Sequence, residues 1–591
     1  MSQQSAPMPP LELSSELEPT QRELWQKGCL SLVERYLPCD SVETRPGGIL
    51  AALPPLPIAL RVFAQPNGVS VGYTPQEILS SLPPTRKGQR LAILGESGTG
   101  KTLFLQYLAK VLLADPQAPT VLWLSPFQLK NISLRDYLFG SWLTALAEFT
   151  EWPLADTKAF LEEEIRGGRV WILADGMDYL YSDLEAEKVS GPLSLLGRSL
   201  QPWGNNLHLV LVCRPETQRQ DTQGLRDFRL FHTRELSYPD RVEGTIQEWF
   251  LTSLGLGHIW GEKDPQGERR RKAEQLGQTL CQVLAQPDHE TCRQWLTRPI
   301  RLILCCRFWQ SRPSHFPVCS AELYRILTHQ FYQWKAEQAS VARTQQQALA
   351  HCLGELGKII LLERRSHRQA LSQSDVDKVF GKDSPLLKLS LQLGWLIPRG
   401  LVEEHHWQRG YSFFDPTFRD YFTALNIDDW HFFLDTNSHC YRLFERPWQR
   451  VMTFWWGRSD IPGTEKAAFL AALFTFNDHC GRGNFYGKQA QALAVKALRE
   501  FQDPELARQI LSPLPGWCRH SDDFPPALTV LAESLLGQTH RPLLIQILLT
   551  WLQTEEEESL YRQVCGYLAR WGQGNAEAIG GLEAQHTGVG E

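Results

Sequence analysis

The sequence has no CxxC pair, no apolar run of membrane-spanning length and no large excess of either charge. Each absence excludes something. The 13 cysteines are scattered and odd in number, so disulfide or metal staples are not indicated and reduced, mostly buried thiols are expected. No stretch of 18 apolar residues is free of charge; the run over 300–309 is interrupted by Arg301 and Arg307. The opening MSQQSAPMPP lacks the basic and apolar regions of a signal peptide, so a soluble, cytoplasmic chain without membrane contact is expected. Sixty basic against 66 acidic residues leave a net charge of -6, which does not favour a nucleic-acid coat or a polybasic anchor. What remains is globular composition, 42% hydrophobic and 21% charged. At roughly 150 residues per domain, 591 residues suggest about four domains.

The first region, 1–85, reads as a loose tail, a helix over 20–36 with Leu24, Leu30, Val33 and Leu37 near one face, and then short extended pieces. Pro38 closes the helix, and ILAALPPLPIALRVF and GVSVGY are broken by Pro and Gly before a short helix over 75–82. This region is either a small α+β module of unknown fold or an extension packed on the neighbouring domain. Residues 86–235 place apolar strands at 91–94 (LAIL), 121–124 (VLWL), 170–174 (VWILA) and 207–212 (LHLVLV), with a helix after the first and another over 132–147. Short apolar strands between longer helices are βαβ units around a parallel sheet.

Beyond 235 helical periodicity dominates. Segments 241–254, 268–285, 299–308, 321–343 and 345–361 are helical, and 236–340 is read as a small helical domain. Short helices over 371–379 and 385–393, extended LGWLIPRG and YSFFDPTF, and a helix over 418–425 suggest a winged-helix domain at 341–430. Residues 431–591 carry helical segments at 466–476, 486–501, 505–511, 527–536, 542–552 and 560–571, read as a HEAT-like α-solenoid with a compact bundle as the alternative. The fold class is multidomain, α/β plus α. The ERRRK run at 268–272 reads as a solvated face, and the acids of TEEEES at 554–559 as favourable charges at a helix start. Trp448, Trp455 and Trp456 are expected in a core; His405 and His406 read as surface histidines.

The chemistry is concentrated in the second block. Gly95, Glu96, Ser97, Gly98, Thr99, Gly100, Lys101 and Thr102 form a Walker A sequence between an apolar strand and a helix. Its glycines let backbone N–H groups curl around phosphates, Lys101 places a point charge on them, and Thr102 offers a hydroxyl to Mg²⁺. In VWILADGMDY, Asp175 comes directly after a strand and is placed to hold the Mg²⁺ shell, directly or through water. Asp178 lies three residues on and is the candidate to orient or deprotonate the attacking water. Arg214, after LHLVLVC, is the candidate to sense the γ-phosphate. ATP or ADP with Mg²⁺ is the expected cofactor set.

The order GESGTGKT, WILADGMD, VLVCRPE and TRPIRLILCC resembles the NACHT family of STAND-type P-loop ATPases, and in particular its bacterial and cyanobacterial members, over about residues 85–430. Gly176, and Arg214 with Pro215, stand at characteristic positions of that family. The resemblance implies that Pro299 packs on the adenine. It places Asp415, in FFDPTFRDYFTA, where the family has a histidine that contacts the β-phosphate of ADP. A carboxylate there repels phosphate unless the chain shifts or Mg²⁺ intervenes. Tyr179 stands where the family has a glutamate, and Arg419-Asp420 where it has a Gln-Glu pair. The resemblance implies a switch: ADP closed in a monomer, a protein or ligand trigger at the C-terminal helical region, an ATP-stabilised homo-oligomer, and slow hydrolysis that resets it, in defence or stress signalling. The alternative is a hydrolysis-deficient ATP-binding interaction scaffold. Nucleic acid is not an expected partner, because the candidate wing LVEEHHWQRG is poor in basic residues.

Overall fold

The computed structural model describes residues 19–34, 61–64, 71–82, 88–96, 98–114, 119–124, 134–176, 206–215, 224–251, 267–286, 289–313, 315–335, 341–362, 371–402, 408–435, 441–477, 479, 485–501, 509, 541–554, 558–572, 575–576 and 578–581. They fall into two compact units, Met1–Arg234 with Arg399–Leu401, and Glu235–Pro398 with Val402–Glu591.

The first unit is built on a seven-stranded sheet. Its strands are β1 (Val62–Ala64), β2 (Val71–Tyr73), β3 (Arg90–Leu94), β4 (Thr120–Leu124), β5 (Val170–Ala174), β6 (Leu207–Cys213) and β7 (Arg229–Thr233), in the order β2-β1-β7-β3-β6-β5-β4. From β7 to β4 every neighbouring pair is parallel. Strands β4, β5 and β6 are buried along their whole length, as is β3 after its first residue, which is why they read as unbroken apolar runs. β4 ends the sheet, and the Pro19–Glu34 helix packs against it. There Trp25 donates to the Thr120 hydroxyl at 3.0 Å and meets Phe160 edge to face at 4.3 Å.

Three features add to or depart from the sequence reading. The described strands within the first 85 residues join the same sheet, β1 antiparallel to β7 and β2 antiparallel to β1. β7 is a fifth parallel strand beside β3 that the apolar pattern did not reveal. The helix expected over 132–147 runs from Leu134 to Thr150 with a π-helical turn at Tyr137–Trp142, and a further helix, Leu154–Arg166, precedes β5.

The second unit is mostly helical. Helices Asp240–Phe250, Glu268–Ala285, Glu290–Trp295, Pro299–Ser311, Ser320–Lys335 and Arg343–Leu362 succeed one another. The expected helix over 321–343 ends early: Val341 and Ala342 are not helical, and the Ala342 N–H donates to the Gln345 side chain at 3.0 Å. Next come β8 (Leu371–Ser372), helices Gln373–Phe380 and Pro385–Leu393, and strands β9 (Leu396–Val402) and β10 (Gln408–Phe413). The strands pair in the order β8-β10-β9. Leu371 and Ser372 belong to a strand rather than to the helix expected there, because Ser372 is an N-cap closed by a capping box with Asp375. The Pro416–Leu425 helix starts two residues earlier than read, since Asp415 caps it and Pro416 occupies its first position.

Farther on lie Arg446–Trp456, Gly463–Thr475, Phe485–Ala497, Arg541–Thr554 and Glu558–Trp571. Gly463–Thr475 packs on Phe485–Ala497, and Arg541–Thr554 on Glu558–Trp571. The helices expected over 505–511 and 527–536 lie outside the described residues, save Gln509. Trp448, Trp455 and Trp456 are buried, as composition suggested. The described cysteines are free thiols. No described helix is long and apolar enough to cross a membrane.

Candidate functional site

Strand register brings the sequence-predicted side chains to one edge. Leu94 of β3 is level with Cys213 of β6 and His232 of β7; Ala174 of β5 is level with Leu211 of β6 and Leu124 of β4. Gly95, Asp175 and Arg214, each the residue after its strand, therefore emerge together at the carboxyl ends of parallel strands. The connection from β3 runs to β4 at one margin, and that from β6 runs to β7 on the other side of β3, the switch geometry where open α/β sheets take ligands. β6 lies between β3 and β5, so Arg214 leaves the strand that separates the glycine loop from Asp175. Arg214 is 8% exposed.

The glycine loop has the backbone its glycines permit. Gly98 has φ 76° and Gly100 φ 91°, both in the left-handed region that side chains disfavour. A Cβ on Gly95 would lie 1.8 Å from Thr233 Oγ1, so close approach, rather than φ, requires glycine there. The Thr99 hydroxyl donates to the Glu96 carbonyl at 2.7 Å and lies 2.6 Å from that of Thr233 at the end of β7. Lys101 folds its ammonium onto the same loop, donating to the Gly95 and Glu96 carbonyls at 2.8 Å each. The Lys101–Leu113 helix then begins at Gly100 without a side-chain cap, so its first-turn N–H groups and dipole face the loop. Ser97 lies outside the described residues.

The candidate cation ligands meet across the two motifs. Thr102 donates its hydroxyl to Asp175 Oδ1 at 2.9 Å. Asp175 is fixed by its own N–H, which donates to the Leu124 carbonyl at 2.8 Å, and Gly176 turns the chain away at φ 67°. One hydroxyl and one carboxylate, half-buried at a phosphate loop, fit Mg²⁺, which keeps most of its waters and takes few protein ligands. Asp178 and Tyr179 lie outside the described residues.

Two further candidates belong to the second unit. Pro299 is buried as the first residue of the Pro299–Ser311 helix. Asp415 is fully buried. Arg301 Nη2 reaches both its oxygens, at 2.9 and 3.2 Å, and Arg298 Nη1 lies 3.5 Å away. The Thr417 N–H and hydroxyl donate to Oδ1 at 2.7 and 2.6 Å, and Tyr324 donates to that hydroxyl at 2.7 Å. Burial alone would raise the Asp415 pKa; Arg301, Arg298 and the Thr417 bonds outweigh it and hold the carboxyl down at about 2. Arg301 is the residue that sequence reasoning missed. Its signal was present as the charge that interrupts an apolar run, since a buried arginine demands a buried acid.

The family model of the NACHT domain matches residues 89–252, and this part of the chain is a P-loop NTPase domain. Such domains generally bind nucleotide with Mg²⁺. No curated protein matches the chain. Among solved structures, the Aeropyrum pernix ORC1 protein in complex with DNA is similar at 12% identity and a TM-score of 0.25, covering 59% of this chain and 88% of that one. Drosophila ORC bound to DNA is similar at 14% identity and a TM-score of 0.22, covering 57% and 90%. At those scores the likeness carries no argument.

Proposed function

We propose, from a NACHT domain at residues 89–252, that this chain is an ATP- and ADP-dependent switch for signal transduction, with slow Mg²⁺-dependent hydrolysis as its reset. The observation that carries the reading is the Thr102–Asp175 bond of 2.9 Å beside a loop whose glycine backbone and Lys101 face one strand edge. In this reading the loop N–H groups and Lys101 bind the phosphates, and Thr102 and Asp175 hold the cation. Arg214 senses the terminal phosphate from the intervening strand. Asp178 orients or deprotonates the water. Mg²⁺ held by Thr102 and Asp175 would supply neutralisation of phosphate charge; the chain's part is to orient water and to exclude it elsewhere.

Beyond 235, the reading takes 236–340 as the small helical domain with Pro299 against the base, 341–430 as a winged helix, and 431–591 as a HEAT-like surface for a protein or ligand trigger. The β8-β10-β9 sheet, whose first strand precedes helices Gln373–Phe380 and Pro385–Leu393 and whose other two follow them, supports the winged helix, and packed consecutive helix pairs support the repeats. ATP binding would favour an assembling state over a closed one, a shift of populations rather than a new fold. Defence or stress signalling is the role the family suggests.

A second reading rests on Tyr179, a phenol where the family has a glutamate. It makes the chain an ATP-binding interaction scaffold without turnover. One experiment separates the two: identify the nucleotide extracted from purified protein and track Mg²⁺-dependent phosphate release beside Lys101→Ala and Asp178→Ala. The switch predicts bound ADP and slow turnover that both substitutions abolish. ATP retained with no phosphate release selects the scaffold.

A further inference from the structure

The glycine loop leans on a side chain from outside its own motif. Thr233 ends β7, which runs parallel to β3 with His232 level with Leu94. Thr233 therefore stands beside Gly95, the first residue of the loop. Its Oγ1 lies 2.6 Å from Thr99 Oγ1, and a Cβ on Gly95 would meet it at 1.8 Å. Strand β1 pairs with β7 from the other side, with Val62 level with Thr233. The residue is thus fixed by a strand that has a paired neighbour on each side.

Donor accounting gives the hydroxyl pair a direction. A threonine hydroxyl carries one proton. That of Thr99 goes to the Glu96 carbonyl at 2.7 Å. The proton between the two hydroxyls is therefore supplied by Thr233, and the chain of bonds runs from Thr233 to Thr99 to Glu96. Thr99 is only 4% exposed, so water is a poor replacement for the Thr233 donor. The Glu96 carbonyl has a second donor, Lys101 Nζ, which also bonds the Gly95 carbonyl. In the nucleotide reading Lys101 turns to the phosphates and gives up both bonds. The two threonine hydroxyls have no such second duty, and they keep the Glu96 carbonyl bound when the ammonium leaves. A loop already held in its bound shape loses less freedom on binding.

We propose that Thr233 is a positioning residue for nucleotide binding: its hydroxyl, acting through Thr99, holds the glycine loop in shape while Lys101 moves onto the phosphates. The proposal rests on the nucleotide reading of the loop and adds to it a residue 134 positions from Thr99, on the neighbouring strand.

Equilibrium titration of the full chain with a fluorescent ADP analogue and Mg²⁺ tests it, with urea unfolding of the nucleotide-free protein alongside. The variants are Thr233→Ala, Thr233→Ser, Thr99→Ala, the double alanine variant and Lys101→Ala. Alanine and serine both lack the methyl group of threonine, so the difference between them isolates the hydroxyl. Thr233→Ala is expected to weaken binding about five- to tenfold at an unchanged urea midpoint, and Thr233→Ser to bind within about twofold of wild type. The double variant should bind no more weakly than Thr99→Ala alone, because Thr233 acts only through Thr99. Wild-type affinity in Thr233→Ala, equal losses in the alanine and serine variants, or fold-changes that multiply in the double variant overturn the positioning role alone. A Thr233→Ala chain that no longer folds marks the hydroxyl as merely structural and overturns it as well. No binding by wild type, or undiminished binding by Lys101→Ala, overturns the nucleotide reading and the proposal with it.

Discussion

Thr102 and Thr417 are each the second residue of a helix, and each donates its hydroxyl to an aspartate, Asp175 at 2.9 Å and Asp415 at 2.6 Å. The chemistry of the two pairs is the same and their settings are opposite. Asp415 directly precedes the helix it caps, is fully buried, and has Arg301 and Arg298 against its oxygens. Asp175 comes from a strand 73 residues away and stands half-buried at an open strand edge. At the sealed position guanidinium groups already answer the charge. At the edge, a half-buried hydroxyl and carboxylate fit a hydrated cation, which takes few protein ligands. A hydroxyl–carboxylate pair is thus a structural cap or a cation site according to what surrounds it, and a motif search cannot tell the two apart.

Replacing each acid should separate the settings most strongly. Asp415→Ala leaves two arginines facing a buried void and should cost about 3–5 kcal/mol in urea unfolding. Asp175→Ala should change stability by less than about 1 kcal/mol, because its site is partly open, and should remove the Mg²⁺ dependence of nucleotide affinity. Equal destabilisation by the two substitutions would break the comparison.

Glu500 sharpens it with a third carboxylate at a helix start. It accepts from the N–H and the hydroxyl of Ser320, at 2.7 Å each, where the Ser320–Lys335 helix begins. Burial pushes its pKa up to about 7; the Ser320 bonds and the charge of Arg499 pull back only part of that rise. Asp415, equally buried but paired with Arg301, is held down at about 2. The two pH dependences therefore have opposite signs. Glu500 has a raised pKa, so its contribution is complete below about 4.5 and is lost as pH rises through about 7. Asp415 has a lowered pKa, so its contribution is present above about 4 and is lost as pH falls toward 2. Between pH 5 and 8, wild type should lose on the order of 3 kcal/mol relative to Glu500→Gln in unfolding experiments. Parallel pH profiles would remove Glu500 from the argument.

The same contrast of settings decides how much was legible in the sequence. β3 to β6 were readable because strands buried on both faces of a parallel sheet are apolar throughout. β7 was not, since Arg229–Thr233 reads RLFHT and carries a mixed burial pattern near the antiparallel margin of the sheet. The glycine loop was readable because backbone geometry dictates its residues. The close approach of Gly95 to Thr233 was not, because the partner lies on that unread strand. Asp415 was noticed only through a resemblance, and its partner Arg301 lies 114 residues away, where the charge in an apolar run signals a buried acid but not which one. Local backbone requirements leave signatures in sequence; charge pairing across a fold does not.

The smallest expected effect tests the hydroxyls themselves. Thr417 donates to Asp415 and accepts from Tyr324 at 2.7 Å, both in the buried interior. Thr417→Val keeps the shape and the backbone N–H bond to Asp415 but deprives the Tyr324 hydroxyl of its acceptor, so a loss of about 1–2 kcal/mol is expected in urea unfolding. Thr102→Val removes a bond that faces the strand edge, where water can replace it. Stability there should stay within about 0.5 kcal/mol of wild type, while Mg²⁺-dependent nucleotide affinity falls. If Thr102→Val instead destabilises as much as Thr417→Val and leaves that affinity unchanged, the Thr102–Asp175 pair is a structural tie like its buried counterpart, and the cation has to be held elsewhere.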